Sequence, residues 1–129
     1  MARALALLPL VTACAAVPAA PIPVTGEWGG THVALHLTAA GGTLDYDCAR
    51  GTIAPVVPST QGRFAADGTH TPEHGGPVRQ GEVLPTLRVQ FTGNLAGDRM
   101  TLEGRAANGV ALGPFELRRG AQPAIFRCL

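Results

Sequence analysis

From His32 onward this chain alternates apolar and polar residues in short runs broken by glycine-containing turns. A period of two belongs to extended strands, whose successive side chains point to opposite faces. Val33, Leu35 and Leu37 share one face of the first such run, and His32, Ala34, His36 and Thr38 share the other. After Gly41-Gly42, Leu44, Tyr46 and Cys48 alternate with Asp45 and Asp47, the pattern of a half-buried strand. Gly51 to Val57 is apolar and stops at Pro58, which reads as an edge strand, and Arg63 to Asp67 aligns Phe64 with Ala66. In the second half Leu87, Val89 and Phe91 form one inward set, and Met100 and Leu102 form another beyond the turn at Ala96-Gly97-Asp98. Asn108-Gly109 is a strong hairpin signal because both turn positions require positive φ. Val110 to Arg118 follows, with a bulge expected at Gly113-Pro114 and Phe115 and Leu117 inward; Phe126 and Cys128 then share a face of a last strand. No segment has helical periodicity. The expectation is an all-β fold, a small antiparallel barrel of about eight strands with up-and-down connections.

Three cysteines bear on how such a barrel is held. Cys48 and Cys128 both fall on predicted inward faces, and a bridge between an early strand and the last one closes the barrel. On the chain-entropy model a loop of about 80 residues makes such a bridge worth roughly 4 to 5 kcal/mol. Cys14 is left over, in a different context. The chain starts with a short n-region carrying Arg3 and an apolar run from Ala4 to Val11, shorter than the roughly 20 residues that span a bilayer. Val11-Thr12-Ala13-Cys14 resembles the lipobox of bacterial lipoproteins, in which the cysteine is lipidated and becomes the mature N-terminus. Ordinary cleavage after Ala15 is the alternative. The expected organisation is a lipoprotein-type signal peptide over 1–14, a Pro/Ala-rich tether over 15–25 and a single domain over 26–129. With Ala15 rather than Asp after the cysteine, the resemblance implies export to the periplasmic face of the outer membrane, with membrane contact only through the lipid.

The mature chain balances nine arginines, once Arg3 is removed, against nine acidic residues. That neutrality leaves no basic footprint for nucleic acid. No Gly-x-Ser-x-Gly, His-Glu-x-x-His, phosphate loop or Cys-x-x-Cys is present, so no catalytic residue is assigned.

The stretches GEWGGTHVAL, LDYDCARGTI, GTHTPEHGGPVR, LGPFELRRG and FRCL resemble a family of small exported bacterial proteins to which no function is assigned. A looser similarity is to calycin-type barrels, which start with Gly-x-Trp and lay an arginine over the Trp ring. Gly26-Glu27-Trp28 matches the first element; Arg118, or its neighbour Arg119, supplies the second, giving a barrel-end plug of Trp28 and arginine. Bacterial inhibitors of metalloproteases and of lysozyme are also small exported eight-stranded barrels with one disulfide. Tyr46-x-Cys48 and the terminal Cys128 resemble the lysozyme-inhibitor pattern, from which the additional N-terminal strand departs.

The candidate binding loop is Gly68 to Pro77, which places His70, Glu73 and His74 within five residues between glycines and prolines. Those side chains suit zinc or copper, but metal sites ordinarily recruit three or four ligands and no fourth is evident. A structural connection that satisfies its own backbone is the competing reading. His32 and His36 lie about 13 Å apart along a strand, too far to share one ion. Asp45 and Asp47, about 6.5 to 7 Å apart, read as solvating carboxylates rather than a glycosidase pair. The leading expectation is a non-enzymatic envelope binding module without a cofactor, recognising a small ligand or an envelope protein at one barrel end. The alternatives are an inhibitor of a lysozyme or secreted protease, and a metal-handling protein using the His70–His74 loop.

Overall fold

The computed structural model describes residues 2–12, 21–74, 76–77 and 79–128. Cys14 and most of the expected tether lie outside them. Residues 2–12 form no regular secondary structure, and their apolar side chains, Leu5 to Val11, are exposed. The described residues contain no helix.

Eight antiparallel strands follow in sequence order: β1 Gly26–Gly30, β2 Val33–Thr38, β3 Gly41–Tyr46, β4 Ala49–Ile53, β5 Arg63–Pro72, β6 Leu87–Ala96, β7 Arg99–Ala106 and β8 Ala111–Arg119. Each pairs with the next, and β8 returns to β1 to close an up-and-down barrel. The β1–β8 seam is short, with only Trp28 opposite Arg119 and Gly29 opposite Arg118. Closure satisfies the backbone groups that a sheet edge would expose. The inward sets are those the alternation predicts: Val33, Leu35, Leu37, Leu44, Tyr46, Phe64, Ala66, Val89, Phe91, Met100, Leu102 and Leu117 are all buried.

Two elements differ from expectation. β4 is an interior strand of the closed sheet rather than an edge, and it starts two residues earlier, at Ala49. The segment after Gly120 is not a ninth strand or a closing one. It runs back along β1, held by a parallel bridge between Ala124 and Thr31, and Phe126 is exposed. The Cys48–Cys128 disulfide is present, with Cα atoms 5.0 Å apart, but Cys48 lies in the β3–β4 turn with φ of 56° rather than inward on a strand. Hydrogen bonds between β1 and β8 therefore close the sheet, and the disulfide fastens the C-terminal tail to a turn. Alternation places a residue on a face only while the strand continues, and the chain leaves the sheet at Asp47 and again at Gly120.

The lumen is filled. Phe91 lies across Gly68, where a Cβ would come within 2.6 Å of its ring, and Phe64 lies across Gly93, where the distance would be 2.4 Å. Glycine opposite phenylalanine thus packs the interior without a ligand-sized void, as in other barrels whose inward positions alternate small and large.

The two ends differ. At the lower end, where β1 begins and β8 finishes, Trp28 is only 2% exposed. The guanidinium of Arg119 sits 4.4 Å from the centre of its ring, a cation–π contact. Arg119 also donates to Asp98 Oδ1 at 3.1 Å and to the Thr25 carbonyl at 2.7 Å. Arg119, not Arg118, is the arginine that packs on Trp28. Arg118 occupies the alternate position on β8 and is exposed on the outer face. Val24, hydrogen-bonded to the Val56 carbonyl at 2.8 Å, completes the seal with the β4–β5 connection.

Candidate functional site at the upper end of the barrel

The upper end gathers the β1–β2, β3–β4, β5–β6 and β7–β8 connections and the returning tail. Thr31-His32 and Asp47-Cys48 are two-residue turns, and such turns often require a left-handed residue. Glycine usually supplies it; here His32, with φ of 70°, and Cys48 adopt it instead. A left-handed conformation at a residue with a Cβ persists only where surrounding contacts hold it. Those contacts are present. Asp47 is ion-paired with His32 through Nδ1, and its Oδ1 accepts the Phe126 backbone N–H at 2.6 Å. The His32 N–H donates to the Ala124 carbonyl at 2.7 Å, and its ring lies 5.4 Å from that of Phe126. Cys48 carries the disulfide and accepts at its carbonyl from the Glu73 N–H at 2.8 Å. Two strained turns and the tail are locked into one rim.

The three residues of the predicted binding loop are separated by the structure. β5 continues to Pro72, so His70 is a strand residue that faces inward and meets Tyr46 edge-on, ring centres 5.6 Å apart. Glu73 follows the strand and its carbonyl oxygen lies 3.8 Å from Cys128 Sγ. His74 turns into the β5–β6 connection, where its Nε2 is 2.7 Å from Glu82 Oε1. The second oxygen of Glu82 accepts the Arg79 N–H at 3.0 Å, and these two contacts hold its carboxyl below the usual range, the backbone one more strongly. Thr71 and Thr86 share a hydroxyl hydrogen bond of 2.9 Å across the base of this connection. The connection is therefore braced by its own side chains. Among the described residues no three histidine, cysteine or acidic side chains converge as a metal would need.

Beneath the rim is a feature that the residue pattern alone does not announce. Tyr46, 8% exposed, packs its ring 5.5 Å from Phe115 as well as against His70. Its hydroxyl and His70 Nδ1 are both buried without a hydrogen-bond partner. Burial pushes the Tyr46 phenol well above its usual range and pulls the His70 imidazole below its own. Both groups are thereby kept neutral near pH 7, able to donate or accept a hydrogen bond. Around them Leu87, Leu112 and Phe115 are half-buried. Val83, Val110 and Phe126, on the connections and the tail, are exposed. Tyr46 is inward in the sequence pattern, but its meeting with His70 depends on strand register: Gly51 on β4 pairs with both Leu44 and His70, which brings β3 and β5 to either side of it.

The other histidines and carboxylates serve the frame. His36 on β2 pairs with Glu27 on β1, Asp47 holds the rim, and Asp45 stays exposed opposite Arg50. Compared with known proteins, the chain matches no family model, no curated sequence and no solved structure.

Proposed function

We propose that this protein is a non-enzymatic binding module of the bacterial cell envelope and that its upper barrel end is the recognition surface. The carrying observation is the combination found there: exposed Val83, Val110 and Phe126 held on braced connections above two buried, unpaired polar atoms, Tyr46 Oη and His70 Nδ1. An unpaired buried polar atom costs about 1 to 3 kcal/mol, so such atoms beneath an apolar rim favour a partner that brings its own hydrogen-bonding groups. The filled lumen argues against a ligand carried inside the barrel and in favour of a protein segment met at its mouth. A disulfide supports an oxidising compartment. An apolar run over residues 5–11 whose large side chains are exposed supports a leader that ends at Cys14 and tethers the mature chain to the outer membrane. Inhibition of an envelope enzyme is the special case in which that partner is a lysozyme or protease.

The test is site-specific photo-crosslinking in the envelope. A photoreactive side chain at Val83 or Val110 is expected to capture one discrete species, whereas the same probe at Ala39 or Gly97, at the lower end, captures none. Equal capture from both ends, or none from either, removes the proposal. Mass spectrometry of the purified protein checks the tether: a diacylated chain beginning at Cys14 is expected, and an unlipidated terminus overturns the anchor.

A further inference from the structure

The lower half of the barrel carries a second feature, independent of the upper rim. Arg99 on β7 and Arg118 on β8 are direct cross-strand partners on the outer face. Side chains opposite one another on a sheet have Cβ atoms only about 4.5 to 5.5 Å apart, and like charges there repel. Natural sheets relieve such a pair with a nearby carboxylate. Here Asp98, the adjacent acid, is engaged by Arg119 at 3.1 Å. Among the described residues neither the Arg99 nor the Arg118 guanidinium makes an ion pair or hydrogen bond. Both line a groove of about 450 Å³ between the β7–β8 face and the returning tail, together with Asn94, Thr101, Gln122 and Glu116. Glu116 lies opposite Thr101 and outside ion-pair distance of either arginine, so the groove keeps a net positive charge.

We propose that this groove is a binding site for a phosphate-type oxyanion, clamped between Arg99 and Arg118. A guanidinium presents its donors in a planar fork that matches two oxygens of a phosphate, and two forks facing one space suit a tetrahedral group better than a planar carboxylate. Bound charge also cancels the repulsion across the strand pair. The Asn94 and Gln122 amides and the Thr101 hydroxyl supply neutral donors to the remaining oxygens. Two sources offer this chemistry. One is a lipid headgroup: the chain enters β1 at this same end, so an anchor preceding residue 21 holds the groove towards a membrane surface. The other is a soluble phosphate monoester.

The experiment follows the side-chain Nε–H signals of the arginines by NMR in the full-length mature protein at constant ionic strength. The probes are inorganic phosphate, glycerol 3-phosphate, the diester glycerophosphoglycerol, and acetate. Saturable shifts confined to Arg99 and Arg118 are expected with phosphate, and R99Q or R118Q should weaken binding at least tenfold. R50Q, on β4 at the far side of the barrel opposite Asp45, should leave it unchanged. Both arginines being exposed, the variants are expected to melt no lower than the parent. Diester bound as tightly as monoester identifies a lipid headgroup; monoester alone identifies a soluble ester. Linear, unsaturating shifts, an equal response at Arg50, or acetate bound as well as phosphate each overturn the site.

Discussion

The two ends of this barrel solve the same problem, closing the mouth of a closed sheet, with opposite chemistry. At the lower end one large ring, Trp28, fills the opening, and Arg119 covers it while donating to Asp98 and the Thr25 carbonyl. At the upper end a tyrosine, a histidine and a phenylalanine meet in the mouth, with Tyr46 Oη and His70 Nδ1 left unpaired. The turns differ in the same way. The β6–β7 turn at the lower end uses Gly97 for its left-handed position, whereas the β1–β2 and β3–β4 turns at the upper end use His32 and Cys48 and depend on the tail to hold them. One end is built for stability. The other keeps unpaired polar groups and strain, which binding would offset if the proposed function holds, a pattern expected of sites rather than of scaffolds.

The largest test of this contrast is removal of the disulfide. Replacing Cys48 and Cys128 with alanine is expected to lower unfolding free energy by about 4 kcal/mol, since the bridge closes a loop with a sequence separation of 80 residues. Chemical denaturation measures the loss. Hydrogen exchange locates it: amides of Ala124 and Phe126 should open locally, while those of Trp28 and Leu117 follow only the global change. Local opening at Trp28 as well would mean that the disulfide supports the whole barrel, and the two ends would no longer be separable.

Next in size is Trp28→Ala, expected to cost about 3 to 5 kcal/mol by cavity formation at the lower end. Phe115→Ala, which removes a half-buried ring from the upper mouth, should cost less than half as much. Thermal melts of the two variants, compared with the parent, decide the point. Equal losses would erase the contrast.

How much of this arrangement was legible in the sequence follows from what alternation can encode. The strand faces and the inward placement of Leu35, Leu44, Phe91 and Leu102 follow from period two, and the hairpin at Asn108-Gly109 from its turn residues, although only Gly109 takes the positive φ expected of both; each depends only on neighbours in the chain. Cys48 was misplaced because the same pattern runs one step past the end of β3 into a turn. The C-terminal residues alternate as a strand does, yet the barrel is already closed by β8 and has no room for another. The His70–Glu73–His74 spacing resembled a ligand loop because the end of β5 is set by pairing with β4 and β6 rather than by His70 itself. For the same reason the choice between Arg118 and Arg119 needed the β1–β8 register, which places Arg119 across from Trp28.

A smaller effect with the opposite sign is expected of Tyr46→Phe. Because the hydroxyl is buried without a partner, removing it leaves the ring contacts with His70 and Phe115 in place and abolishes a desolvation cost. Stability should rise, by about 1 kcal/mol, the lower part of the range for an unsatisfied buried polar group. A partner captured by photo-crosslinking at the upper end should at the same time bind less tightly to this variant. A loss of stability in Tyr46→Phe would show that the hydroxyl is satisfied in solution, and the upper end would be as complete as the lower one.

The smallest effect is a pH dependence that separates His70 from the surface histidines. Burial lowers the pKa of His70 from its usual value near 6.5. The folded protein thus holds the imidazole neutral at pH values where the unfolded chain already protonates it. With more protons bound in the unfolded state, stability rises with pH across that window. The contribution of His70 is fully present above the unfolded pKa, about 6.5, and is lost as pH falls from there towards the folded value. His70→Leu should flatten this part of the curve when unfolding free energy is compared with the parent between pH 7.5 and 5, while His36→Leu, which removes an exposed partner of Glu27, should leave the His70 component in place. An unchanged slope in His70→Leu would mean that the imidazole is as well solvated as those on the surface. The mouth of the barrel would then be open to water above Tyr46, and the apolar upper end would lose the buried polar pair on which its distinction from the lower end rests.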